Sequence, residues 1–70
     1  MADSTLNQLR EIGQQIRTAE AEGADRKELL PMWARRRELV HVAREAEYRK
    51  ADIARALNVT RQNVDRLLAA

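Results

Sequence analysis

The feature that most restricts this chain is the spacing within "ADIARALNVTRQNV", Ala51 to Val64. Ile53, Ala54 and Leu57 recur at helical spacing, and so do Val64, Leu67 and Leu68. Only Asn58, Val59 and Thr60 lie between the two sets. Such a link points to a short helix, a sharp turn and a second helix, crossed so that both apolar faces meet. Asn58 is expected at the turn, because Asn accepts positive φ more readily than most non-glycine residues. Val59 is expected to plug the gap between the helices, and Thr60 to N-cap the second one.

The rest of the chain must support that pair with little material. It has 70 residues, no Cys and one His. One small domain is expected, and a chain of this size buries only about 60% of its unfolded surface. A disulfide staple is excluded and a zinc staple nearly so, which leaves self-association as the common remaining source of stability. Ala, Leu, Arg and Glu dominate, while Gly and Pro together number three, so helix is favoured over strand. No apolar run approaches the roughly 18 residues of a membrane span. The start, "MADSTLNQLREIG", lacks a signal-peptide core, and a cytoplasmic protein is expected. There is no internal repeat and no low-complexity tract.

The first segment, about 4–23, carries Thr5, Leu9, Ile12, Ile16 and Ala19 at heptad spacing, thickened by Leu6. Ser4 or Asp3 can cap it. Gly13 falls mid-helix at a cost of about 1 kcal/mol against Ala, which a close helical neighbour would rationalise. Gly23 can end the helix in the left-handed conformation, and Asp25 can cap the next, with Glu28 completing a capping box. The second segment, about 26–46, places Leu29, Leu30, Trp33, Leu39, Val40 and Ala43 inward. Pro31 is expected to split it into a turn at 26–30 and a main helix from Pro31 to Ala46. A further break is expected near Glu47-Tyr48-Arg49, where the periodicity resets, with Tyr48 packed on the helix that follows. His41 is expected to pack or face solvent, since nothing near it supplies the other groups that catalysis or metal binding needs.

Charge divides the chain unequally. Residues 1–30 carry four basic and six acidic side chains, and residues 31–70 carry nine and five. One surface is therefore a candidate for an anionic polymer. "RRRE", Arg35–Glu38, fans over about 200° of its helix, so one Arg must turn inward or snorkel. Its outward members suit either phosphate contact or helical charge pairing such as Arg35 with Glu38.

"KADIARALNVTRQNVDRLL", Lys50 to Leu68, resembles the helix-turn-helix DNA-binding families. The form is the three-helix, homeodomain-like one of small bacterial and phage regulators, resolvase-type recombinases and sigma-factor promoter-binding domains. Ala54 matches the small residue of the first helix, Leu57 and Val59 the apolar residues flanking the turn, and Val64 and Leu67 the apolar positions of the recognition helix. Asn58 stands where Gly is usual, and Arg49 where a capping Ser or Thr is common.

The resemblance implies an all-α fold: an N-terminal helix plus a three-helix core with a C-terminal helix-turn-helix at 50–69. It also implies duplex DNA as partner, with the second helix in the major groove. The DNA-contacting set is then Thr60, Arg61, Gln62, Asn63, Asp65 and Arg66, with Arg49, Lys50 and Arg55 on the backbone. Gln62 can read adenine and Arg61 or Arg66 guanine, while Asn63 suits a base edge or a phosphate. Thr60 can bond a phosphate at the helix start. Asp65 either accepts from cytosine or orients Arg61, and the second role is preferred.

A sequence-specific regulator working as a homodimer is expected, paired through Leu6, Leu9, Ile12 and Ile16. The alternative for that seam is packing against Trp33 and Leu39 of the same chain. Two other functions remain open: an adaptor or antitoxin-like module gripping a protein through the N-terminal helix, and a nucleoid-associated protein. No enzyme is expected, for want of a nucleophile–base pair, a Gly-rich phosphate loop or a metal set. No cofactor, small-molecule ligand or membrane partner is expected.

Overall fold

The computed structural model describes residues 4–69. Four helices account for nearly all of them: α1 (Ser4–Ala21), α2 (Arg26–Glu45), α3 (Lys50–Leu57) and α4 (Arg61–Ala69). Among the described residues there is no strand, and no helix is long and apolar enough to cross a membrane. α1 packs along α2 and against α3, while α4 packs on α3 and α2 and does not reach α1.

The first three helices, α1, α2 and α3, end in the same way. Gly23, Glu47 and Asn58 have φ of 81°, 69° and 59°. In each case the left-handed residue donates its N–H three residues back and the next residue donates five back. The pairs are Gly23 to Glu20 and Ala24 to Ala19, Glu47 to Arg44 and Tyr48 to Ala43, and Asn58 to Arg55 and Val59 to Ala54. Carbonyls that would otherwise lack partners at a helix end are satisfied by these bonds. Gly23 and Asn58 hold the expected turns. Glu47 supplies a third left-handed residue with no Gly or Asn to mark it. The starts are also chemical: the Asp25 carboxylate accepts from the Glu28 N–H at 2.9 Å, and Thr60 Oγ1 accepts from the Asn63 N–H at 3.1 Å. Ser4 is the first residue of α1 rather than its cap, and Asp3 lies outside the described residues.

Pro31 does not split the second segment; it is a helical residue within an unbroken α2. Its ring removes one N–H, which would have bonded the exposed Lys27 carbonyl. Leu29 before it and Leu39, Val40 and Ala43 after it are all buried. Burial on both sides holds the helix across the missing bond.

The core joins Leu9, Ile12 and Ile16 of α1 to Leu39, Val40 and Ala43 of α2, to Ile53, Ala54, Ala56 and Leu57 of α3 and to Val64 of α4. Trp33, Tyr48, Val59, Leu67 and Leu68 pack at its edge. The seam on α1 is thereby closed inside the chain: Leu9 is 0% exposed, Ile12 5% and Ile16 3%. These three are not a surface for a second copy. A chain this small needs the apolar stripe of α1 for its own core, and only Leu6 of the four stays half-buried at the margin.

Gly13 lies where α1 meets the end of α3. A Cβ there would stand 3.1 Å from the Leu57 carbonyl oxygen, so the close neighbour expected at this position is α3. Gly13→Val is expected to wedge the helices apart and lower stability by about 1–3 kcal/mol in chemical denaturation. Glu47→Gly is expected to raise it by about 0.5–1 kcal/mol, because glycine carries no left-handed penalty.

Candidate nucleic-acid interface

The orientation of α4 is set by one side chain. Val64 is fully buried, so by 100° steps the opposite face points away from the core. Gln62 and Arg66 are exposed on it, Asn63 and Asp65 are exposed at its flanks, and Arg61 is exposed at the helix start, one turn before Val64. Leu67 and Leu68 are half-buried at the flank. Thr60 uses its hydroxyl oxygen as the cap of α4, which leaves its O–H free to donate outward.

α3 contributes its N-terminus. Arg49 occupies the N-cap position in extended conformation and makes no side-chain capping bond. Arg44, Arg49, Lys50, Ala51 and Arg61 line a depression of about 380 Å³. Lys50 opens α3 and Arg61 opens α4, so two positive helix ends meet four cationic side chains there. Arg44 is braced by donating from Nη1 to the Tyr48 carbonyl at 2.7 Å.

Three of the expected contacts, Arg49, Lys50 and Arg61, come together at this point, and Gln62, Asn63 and Arg66 stand exposed on the adjoining helix. Arg55 is placed apart. It lines a different depression with Leu6, Arg10, Asp52 and Ala56 and lies 3.7 Å from Asp52. Asp65 does not pair with Arg61 as expected. Its carboxylate meets Lys50 Nζ at 2.7 Å, because the packing of α3 on α4 brings Lys50 within reach in place of Arg61 on the preceding turn of its own helix. Lys50 is consequently held by a carboxylate as well as lining the cationic depression.

Two contributors escaped the sequence reading. Arg17 Nη1 donates to the Leu57 carbonyl at 3.1 Å, fastening the end of α3 to α1. Arg44 belongs to the cationic depression although it lies outside the residues of the helix-turn-helix resemblance. Within "RRRE", Arg35 meets Glu38 at 3.8 Å as a helical charge pair. Arg36 is the inward member: its Nε is buried without a hydrogen-bond partner, and desolvation pushes its guanidinium pKa down, against the pull of Glu20. His41 is half-buried on α2, and among the described residues no three ligating side chains gather to hold a metal ion.

Compared with family models, with curated proteins and with solved structures, the chain matches none.

The hydrogen bond from Lys50 holds the Asp65 carboxyl below its usual value of 3.8, helped by the charges of Lys50 and Arg61. A depressed carboxyl pKa contributes stability above the ordinary carboxylate range, and that contribution is lost as pH falls through the depressed value. Carboxyl NMR titration is expected to place the Asp65 midpoint below that of a free Asp, and Lys50→Met to move it upward. A midpoint that ignores the substitution would contradict the pairing.

Proposed function

We propose that the chain binds double-stranded DNA sequence-specifically through α3, the Asn58 turn and α4, acting as a helix-turn-helix with α4 in the major groove. The observation that carries this reading is the meeting of two helix N-termini with Arg44, Arg49, Lys50 and Arg61 beside the exposed polar face of α4. Backbone phosphates match such a cluster, since helix N-termini and guanidinium groups both bind them. Gln62, Asn63 and Arg66, standing clear of the core, match base edges. That second set favours sequence reading over architectural packaging of DNA. Asp65 subtracts one charge and restrains Lys50, which lowers indiscriminate attraction to phosphate. A small transcriptional regulator is the role this binding fits. The α1 seam takes no part, because Leu9, Ile12 and Ile16 are buried in the core.

The test is a binding titration over salt concentration, on a duplex selected from random sequence. Four phosphate-facing cations would give a log–log slope of about −3 to −4, at roughly −0.9 per neutralised phosphate. Arg49→Gln with Arg61→Gln is expected to flatten that slope by about 2. Arg66→Ala is expected to weaken the selected site by about 1–3 kcal/mol and unrelated duplexes far less. A slope near zero, or equal loss on all duplexes with Arg66→Ala, would contradict the assignment.

A further inference from the structure

Two surfaces outside the candidate DNA interface carry charge that the chain does not neutralise. The first is a groove between α1 and α2 of about 420 Å³, with Ala19 and Met32 as its apolar lining and Glu11 and Glu22 beside them. It runs on past Glu22 and Met32 to Gly23 and Glu28. The second is the outer face of α2. Arg26, Lys27, Leu30, Ala34 and Arg37 fall within about 100° of one another around the helix, and all five are exposed. Leu30 is 47% exposed, one of two large apolar side chains so open among the described residues.

Neither set makes an ion pair among the described residues: the bridges there join Arg35 to Glu38, Lys50 to Asp65 and Arg55 to Asp52. The two surfaces are complementary. One is an apolar groove with an acidic rim; the other is a Leu set among three cations. Glu28 and Met32 lie about 160° round α2 from Leu30, so one molecule can use both surfaces at once. Groove against groove would bring like carboxylates together, and stripe against stripe like cations, which disfavours a two-fold pairing.

We propose that the occupant of the groove is a second copy of this chain, docked head to tail, with Leu30 and its flanking cations seated in the acid-rimmed α1–α2 groove of the next molecule. A heterologous contact of this kind carries copy to copy, into a closed ring or an open chain according to the rotation between them. It rests on the α1–α2 groove and the outer face of α2, and not on the DNA-binding reading.

Sedimentation velocity on the whole chain tests it. At low salt the average mass rises with protein concentration, and at high salt it falls back to the monomer, because screening weakens rim charges. Glu11→Lys with Glu22→Lys disables the groove. Lys27→Glu with Leu30→Ser disables the stripe. Each variant alone associates at least about tenfold more weakly than the parent. Mixed in equal amounts they form a one-to-one dimer and nothing larger, since each keeps one working surface. Circular dichroism verifies that both fold; should either fail, Glu11→Gln with Glu22→Gln, or Leu30→Ser alone, takes its place. A parent that stays monomeric at low salt overturns the proposal. So does a mixture that does not pair. A monomeric parent whose stripe variant loses duplex affinity overturns it too, and makes the stripe a phosphate track.

Discussion

The close approach of α1 to the end of α3 is the contact on which the rest of the molecule depends. α3 and α4 have eight and nine residues, shorter than the roughly 12–15 at which isolated helices begin to hold in water. Their order comes from what they pack against. At Gly13 the backbone of α1 comes near enough for the Leu57 carbonyl to occupy the space of a side chain. One turn further on, Arg17 donates to that same oxygen. A carbonyl left over at a helix end thus becomes the fastening point, and the turn at Asn58 starts from a fixed place. Val64 then sets the rotation of α4, and with it the residues that face outward.

Charge follows the same organisation. Glu11 of α1 and Glu22 just past its end border a groove shared with α2, while Arg44, Arg49, Lys50 and Arg61 gather where α2 ends and α3 and α4 begin. The backbone of α1 does not approach that of α4, and the two regions share no lining residue. Asp65, the carboxylate within the basic region, is tied to Lys50 and acts as an internal brace between α3 and α4.

Much of this was legible in the sequence because it rests on local chemistry. Gly23, Asn58, Asp25 and Thr60 each perform at their own position the backbone or capping task their side chains suit. Ile53, Ala54, Leu57 and Val64 mark the buried faces through spacing alone. What escaped depends on contacts distant in sequence. Pro31 reads locally as a break, yet burial on either side carries the helix through it. The seam of Leu9, Ile12 and Ile16 has the spacing of a dimer contact, and nothing in that spacing says whether the partner helix belongs to the same chain. Lys50 wins Asp65 from Arg61 through the crossing of two helices. Glu47 is left-handed because the chain must turn there, although its residue type gives no sign of it.

The most direct test is amide NMR of the chain titrated with its selected duplex. Shift changes concentrated at Thr60–Arg66 and at Arg49–Ala51, with the α1 groove around Glu11, Thr18 and Glu22 left unmoved, are the predicted result. Changes confined to that groove, or none at either place, would contradict the account.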